Sequence, residues 1–162
     1  MMKESFRETQ KFNQLWLWVL LFFVACIPLY GVYEQSKIAL EITLKSLFDE
    51  IAFSIAMCVG LLLLFYLMRL ETCIDKKGIY LNFFPFVKKE FLREDIKEIE
   101  VLDYGFIGGW GIRFWTKYGT AFNIKGSKGL RIVLKNGKKY LIGTQIPEKI
   151  EAYLRENDYV QN

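Results

Sequence analysis

Two uncharged apolar runs constrain the fold of this 162-residue chain more than any other feature of its sequence. The second run, residues 51–68, is 18 residues long and ends abruptly at Arg69 and Glu71. As a helix it would be about 27 Å long, at about 1.5 Å per residue, and the hydrocarbon core of a bilayer is about 30 Å thick. We therefore expect this run to span a membrane.

The first run, residues 15–33, has 19 uncharged residues and carries aromatic side chains near both ends. Trp16 and Trp18 at one end and Tyr30 and Tyr33 at the other match the aromatic belts at the two headgroup levels of a bilayer. A soluble protein would have to bury both runs, and a chain of this length cannot build a core of that size. The run is also too long for the apolar part of a signal peptide. We expect a retained two-helix transmembrane hairpin.

Residues 34–50 connect the two runs. Their apolar residues recur at helical spacing, which favours a short amphipathic or continuing helix, although residues 38–44 also alternate as a strand would. This connection has a net charge of −2, against +1 for residues 1–14 and +5 for residues 69–162. Because basic residues near the ends of spans mark the cytoplasmic side, we expect a multi-pass protein of the inner cell membrane with both termini cytoplasmic.

After the second run the sequence changes to the short alternating segments that are typical of β-strands. There are eight candidate strands, at residues 70–74, 79–84, 87–92, 96–102, 111–117, 120–124, 130–134 and 139–142. One of them, for example the first, need not form a separate strand. Asn136 and Gly137 predict a two-residue hairpin in which Lys135 and Lys138 face each other. Residues 144–153 return to helical spacing. About seven strands in a small barrel or sandwich, followed by one amphipathic helix, are expected.

Several short motifs lie in this β-rich part: DKKGI at 75–79, GGWGIR at 108–113, GLR at 129–131, NGK at 136–138 and IGT at 142–144. With these motifs, residues 70–154 resemble small bacterial membrane proteins that carry a pleckstrin-homology-like (PH-like) domain behind a two-helix anchor. The resemblance implies a seven-stranded PH-like barrel with one C-terminal helix. PH-like folds bind lipids, peptides or proteins, so the resemblance does not choose among these ligands.

The expected fold is therefore an α+β membrane protein, a two-helix transmembrane hairpin followed by a PH-like seven-stranded barrel or sandwich with one C-terminal helix. Its expected parts are a cytoplasmic N-terminal segment at 1–14, transmembrane helices at 15–33 and 51–69, an extracytoplasmic connection at 34–50, the PH-like domain at 70–156 and a tail at 157–162.

Enzymatic sites find little support in the composition. The chain has no histidine, which excludes histidine-based triads, histidine metal ligands and histidine phosphotransfer. Cys26, Cys58 and Cys73 show neither a disulfide framework nor a metal-binding spacing. No serine or cysteine has a visible activating partner. We expect a protein that is not an enzyme and that uses no cofactor or metal.

The first candidate site is a basic stretch between Asp103 and Glu148, which contains no acidic residue. Its eight basic residues are Arg113, Lys117, Lys125, Lys128, Arg131, Lys135, Lys138 and Lys139. Anionic lipid headgroups or an acidic protein partner would fit such a surface. The alternative is an ordinary solvated basic face, or one neutralised by the protein's own acidic segment at 90–103 in a homo-oligomer. Nucleic acid is not expected, because no recognition motif is present.

The second candidate site is the turn that contains Phe106, Gly108, Gly109, Trp110 and Gly111. It lacks the Lys-Ser/Thr of a phosphate-binding loop and continues into a strand, so nucleotide binding is not favoured. Either the turn is closely packed with Trp110 over the barrel, or its aromatic residues are exposed to a membrane or a partner. We expect a membrane-anchored binding or scaffold module that mediates protein interaction or self-association. The alternatives are anionic-lipid sensing through residues 113–139 and, without a candidate site, an enzyme at the membrane interface.

Overall fold

The computed structural model describes residues 5–38 and 44–159, and the side chains of residues 35, 36, 38 and 44–47 are outside the description. The chain divides into two compact units. The helical unit comprises Phe12–Leu67. The β unit comprises the residues up to Lys11 and those from Met68 onward.

The helical unit consists of α1 (Leu15–Ile38) and α2 (Leu44–Leu67). Both helices are longer than the apolar runs, because the connecting segment continues them on either side of residues 39–43, which lie outside the described residues. Each contains a 20-residue window, Leu15–Glu34 and Phe48–Leu67, that is long and apolar enough to cross a membrane. The expected pair of apolar helices is confirmed, and its insertion in a membrane stays a proposal.

The two helices pack along a narrow seam of small and medium side chains. Leu21 and Ala25 of α1 and Ser54 of α2 are buried. The Cys58 thiol of α2 donates a hydrogen bond to the Ala25 carbonyl oxygen at 2.6 Å. Most large apolar side chains of both helices, among them Phe23 and Phe53, are exposed, which is the pattern expected of lipid-facing helices.

The first sheet of the β unit is antiparallel and has the strand order β1-β2-β3-β4. Its strands are β1 (Ser5–Lys11), β2 (Arg69–Asp75), β3 (Gly78–Phe84) and β4 (Val87–Leu92). The strands β2, β3 and β4 confirm the predicted strands at 70–74, 79–84 and 87–92, so the first candidate is a separate strand. The strand β1 was not predicted.

The buried side of β1 is mostly polar, so hydrophobic alternation gave no signal there. Phe6, Glu8 and Gln10 point inward. The Glu8 carboxylate accepts hydrogen bonds from the Thr144 hydroxyl at 2.7 Å and from the Gln145 backbone N–H at 2.8 Å. The Gln10 side chain donates to the Gly143 carbonyl oxygen at 2.7 Å. These long-range bonds satisfy polar groups that would otherwise be costly to bury.

Pairing of β1 with β2 places Lys11 opposite Arg69. The helical unit is therefore an insertion between two neighbouring, hydrogen-bonded strands.

The second sheet has the order β5-β8-β9-β7-β6, in which β7 and β9 are parallel and the other pairs are antiparallel. Its strands are β5 (Ile96–Asp103), β6 (Gly111–Thr116), β7 (Gly119–Asn123), β8 (Lys128–Leu134) and β9 (Lys139–Gly143). All five confirm predicted strands, with boundaries shifted by one or two residues.

The nine strands are not closed into a barrel, so the predictions of a barrel and of seven strands are wrong. The chain passes from β4 to β5 through a short 3₁₀ helix at Arg93–Asp95, which starts a new sheet instead of extending the first. Among the described residues, no ladder joins the edge strands β1 and β4 to the second sheet. The β unit is an open, two-sheet structure.

The core lies between the sheets and beneath α3 (Pro147–Glu156), the predicted C-terminal amphipathic helix. It contains Leu70, Ile79 and Phe83 from the first sheet, Phe122, Ile132 and Ile142 from the second, and Ile150 and Leu154 from α3. Thr144, the first residue of the segment with helical spacing, precedes the helix: it binds Glu8, and its hydroxyl oxygen accepts a bond from the Ile146 N–H. The helix begins with Pro147, which suits the first turn.

Residues 157–159, which follow α3, pack against the sheets of the β unit. The Arg93 guanidinium donates to the carbonyl oxygens of Asn157 and Asp158, both at 2.9 Å, and stacks on the Tyr159 ring with its carbon 4.5 Å from the centroid. The Tyr159 hydroxyl donates to the Asp75 carbonyl oxygen. Burial raises the pKa of the Tyr159 phenol to about 12.

Candidate functional site

The β unit has two ends that differ in their connection to the helices. We call the end where Lys11 pairs with Arg69 the helix-bearing end, and the opposite end the free end. Contacts between the two sheets show which part of the second sheet lies toward each end. Near the helix-bearing end Phe83 packs on Phe122, with ring centroids 6.5 Å apart, and further from it Phe91 packs on Tyr140 at 4.9 Å.

The eight basic residues of the candidate stretch do not form one surface. Lys125 and Lys128 precede or begin β8 and lie toward the helix-bearing end, where β9 finishes. The turns at the free end carry Lys117, Lys135, Lys138 and Lys139, and Arg113 and Arg131 lie within strands. Because β8 has seven residues and rises about 3.3 Å per residue, its two ends are about 20 Å apart. The contiguous stretch is thus divided by strand topology.

Carboxylates of the β unit oppose two of these charges. The Arg131 guanidinium lies between Glu98, at 3.1 Å, and Glu100, at 2.6 Å, on the neighbouring strand β5. The Lys128 ammonium lies 3.9 Å from the Glu148 carboxylate. Arg131 therefore serves a cross-strand ion pair within one chain.

The β8–β9 turn differs from the predicted two-residue hairpin. The Leu134 N–H donates to the Lys138 carbonyl oxygen, and the Gly137 N–H donates to the Leu134 carbonyl oxygen, both at 2.9 Å. These bonds leave a three-residue loop, Lys135 to Gly137, in which Gly137 has a φ of 81°. The extra residue is held because the Lys135 N–H donates to the Asp95 carbonyl oxygen at 2.9 Å. Lys135 and Lys138 therefore do not form a cross-strand pair.

The second candidate site, the turn at 105–111, lies over the outer face of the second sheet. Tyr104 fixes its start: the hydroxyl donates to the Gly126 carbonyl oxygen at 3.0 Å, and the ring packs with Ala121 and Leu141. Burial raises the pKa of the Tyr104 phenol. The Asn123 amide donates to the Gly109 carbonyl oxygen at 3.3 Å. The turn is thus held near both of its ends.

The same turn leaves aromatic side chains exposed. The exposed fraction is 82% for Phe106 and 42% for Trp110. On the adjacent strand β6 it is 60% for Phe114 and 97% for Trp115. Single exposed apolar residues are ordinary, but a group of large aromatic residues on one part of a surface indicates an interaction site.

These elements enclose a cleft of about 320 Å³ between the turn and β6. We call it the aromatic cleft, and its lining residues are Phe106, Ile107, Gly108, Arg113, Phe114, Trp115, Thr116 and Lys117. It joins residues from both candidate sites. The Arg113 guanidinium lies against Gly109. A Cβ added at residue 109 would be 2.2 Å from the Arg113 Nη2 atom, so the arginine could not keep this position beside a residue with a side chain.

Trp115 has a backbone conformation that a tryptophan rarely adopts. Its φ is +55°, in the left-handed region, and it lies where the register of β6 against β7 shifts between Arg113 and Thr116. The Thr116 hydroxyl then donates to the Gly119 carbonyl oxygen at 2.8 Å and closes the turn. A left-handed residue with a Cβ costs about 1–2 kcal/mol. A strained and almost fully exposed tryptophan contributes little to the core and points to a functional role.

Sequence reasoning missed Phe114 and Trp115 because aromatic residues are common in any β-strand. The only signal was two successive large aromatic residues between basic ones, in the segment RFWTK at 113–117. Within the described residues, no three His, Cys, Asp or Glu side chains form a group that could hold a metal ion. Comparison with models of protein families and with curated proteins gave no match, so function has to be argued from geometry.

Proposed function

We propose that this chain is a membrane-anchored binding module whose β unit, a PH-like domain, binds a protein partner at the inner face of a bacterial cell membrane. The observation that carries the proposal is the aromatic cleft, where Phe106, Phe114 and Trp115 are exposed beside Arg113 and Lys117. Aromatic residues and arginine are the side chains most enriched at the energetically important centres of protein interfaces.

The strand order supports the PH-like part of the proposal. Four antiparallel strands, then the three neighbours β5, β8 and β9, then one C-terminal helix follow the PH-like plan. On this plan the β6–β7 hairpin is an insertion that joins the sheet edge through the parallel pair of β7 with β9. The insertion carries most of the aromatic cleft, as we expect of an element added for recognition.

The helical unit supports the membrane anchor. Its two helices have the length and the exposed apolar surface that two spans need. The pairing of Lys11 with Arg69 requires both chain ends of the hairpin to be on one side, in agreement with the cytoplasmic position that the charge distribution favours.

The chemistry of the cleft favours a partner segment with apolar or aromatic side chains flanked by carboxylates. The lining has two cations and no carboxylate among its eight residues. A second copy of the chain is the alternative partner, since residues 90–103 are rich in acid. Glu98 and Glu100 of that segment already pair with Arg131, which makes a different protein the better match. The dispersal of the basic residues gives no comparable support to lipid sensing through 113–139, and we propose no catalytic role.

Site-specific photocrosslinking of the full chain in native cells tests the proposal. A photoreactive phenylalanine at position 114 should give a discrete protein adduct, and the variants Trp115→Ala and Arg113→Glu should remove it. Position 86, an exposed phenylalanine of the β3–β4 turn in the first sheet that is not among the cleft's lining residues, serves as the matched control. An adduct of twice the chain mass would indicate self-association, and no protein adduct at 114 would refute the proposal.

A further inference from the structure

We propose a second contact site on the β unit: the β3–β4 turn at Phe84, Pro85 and Phe86 inserts into the headgroup layer of a membrane that contains anionic lipid. This inference rests on the proposed membrane anchoring, but it concerns a different surface from the aromatic cleft and a different ligand class.

The register places this turn at the helix-bearing end. Arg69, the first residue of β2, pairs with Lys11 on one side and with Phe84 on the other. The turn therefore extends beyond the row of residues at which the chain leaves the β unit for the helices. The Phe86 N–H donates to the Phe83 carbonyl oxygen at 2.8 Å, which fixes the turn.

The aromatic side chains of the turn are arranged for an interface between water and lipid. Phe86 is 54% exposed, and its ring lies 6.4 Å from that of the fully buried Phe83, which anchors it to the core. The Arg69 guanidinium carbon lies 5.1 Å from the centroid of the Phe84 ring. Aromatic rings beside basic side chains are typical of surfaces that insert into the headgroup region.

The charges around the turn favour an anionic leaflet. Lys11 and Lys88 are exposed and lie on the same outward-facing side of the first sheet as Phe84. Two carboxylates share this face: Glu71 pairs with Arg69 at 2.8 Å, and Glu90 lies two residues from Lys88 on β4. Among the described residues, neither Lys11 nor Lys88 lies within ion-pair distance of a carboxylate. The two lysines thus keep their charge available for phosphate groups.

The chain leaves almost no linker between α2 and β2. Only Met68 separates Leu67, the last residue of α2, from Arg69. Two residues reach at most about 7 Å, and the headgroup layer on each side of a bilayer is about 5–8 Å thick. If α2 spans the membrane, the row that contains Arg69 and Phe84 starts within or directly beside that layer.

Photocrosslinking in vesicles tests this inference. The full chain, with a photoreactive phenylalanine at position 86, is reconstituted into phosphatidylcholine vesicles with and without phosphatidylglycerol, and adducts are weighed by mass spectrometry. Position 53 on α2 and position 92, an exposed site near the free end of β4, are the controls. We expect lipid adducts at 53 and 86 and none at 92.

The outcomes separate the two proposals. Lipid adducts at 53 without any at 86 would overturn the turn contact and leave the anchor intact, whereas none at 53 or 86 would overturn both. A protein adduct at 86 in place of lipid could come only from a second copy of the chain, and it would overturn the lipid contact. Phosphatidylglycerol should be enriched among adducts at 86, and Lys11→Glu with Lys88→Glu should reduce this enrichment about fivefold or more. Unchanged enrichment would refute the role of the two lysines.

Discussion

Replacement of Trp115 by glycine and, separately, by alanine tests whether this residue is strained for the benefit of binding. Both changes remove an indole that is 97% exposed, so little buried apolar area is lost. The two variants differ in how they tolerate the φ of +55°. Their relative stability therefore reports the backbone strain at this position.

The expected difference follows from two opposing terms. Alanine keeps a Cβ and retains a cost of about 1–2 kcal/mol in the left-handed region, which glycine escapes. Glycine loses about 0.5–1 kcal/mol more than alanine in backbone entropy on folding. We expect Trp115→Gly to be more stable than Trp115→Ala by about 0.5–1 kcal/mol.

An exposed strand position with ordinary backbone angles provides the control. Thr9 of β1 is exposed and is not among the described residues with positive φ. There we expect the opposite order, with Thr9→Ala more stable than Thr9→Gly by about 0.5–1 kcal/mol.

The assay is urea unfolding of the full chain in a non-denaturing detergent, followed by the circular dichroism of the sheets, with a common slope for each pair of variants. Both variants of Trp115 should also lose the adduct at position 114 while they remain folded. If Trp115→Ala proves as stable as Trp115→Gly, Trp115 is not strained, and if either variant keeps the adduct, Trp115 does not serve binding.

Three further predictions concern the β unit, each read from the same urea midpoint. Because folding raises the pKa of Tyr159 to about 12, its contribution to the free energy of unfolding is complete below pH 10, where Tyr159 is protonated in both the folded and the unfolded state, and is lost as the pH rises to 12. Tyr159→Phe should flatten this decline of stability with pH. An unchanged decline would show that Tyr159 does not cause it. Gly119→Ala should lower the free energy of unfolding more than Gly137→Ala does. Both glycines have a φ of 81°, but only at Gly119 would an added Cβ lie 2.1 Å from the β9 backbone. Equal losses would show that the backbone around Gly119 can move. Glu8→Gln should lower the free energy of unfolding by about 1–3 kcal/mol, because an amide has one acceptor oxygen for the two donors at Thr144 and Gln145. No change in stability would mean that β1 does not contribute to the β unit as described.

Local sequence patterns predicted most of the elements correctly. Apolar runs of span length gave α1 and α2, and alternation with turn residues gave all eight strands from β2 to β9 together with α3. These features depend on neighbours within a few residues, where hydrophobic period and turn chemistry act directly. The loop of the β8–β9 turn was wrong by one residue, because its length depends on a bond from Lys135 to Asp95 that is distant in sequence.

The candidate site was only partly accessible from the sequence. The turn at 105–111 was identified, and the structure adds Phe114 and Trp115 from β6 and joins Arg113 and Lys117 to it. The exposure of those aromatic residues depends on a register shift and on the place of β6 at a sheet edge. Neither property is encoded by residue type at a single position.

The sequence by itself determined the two apolar helices, the β-rich character of the chain after residue 68 and the absence of histidine chemistry, because hydrophobicity and composition are local quantities. Only the tertiary structure decided that Ser5–Lys11 is a strand, since its buried Glu8 and Gln10 become acceptable through partners more than 130 residues away. It also decided that the basic stretch is divided between two ends and that Arg131 is paired, because strand order brings residues together or apart regardless of their spacing in the chain.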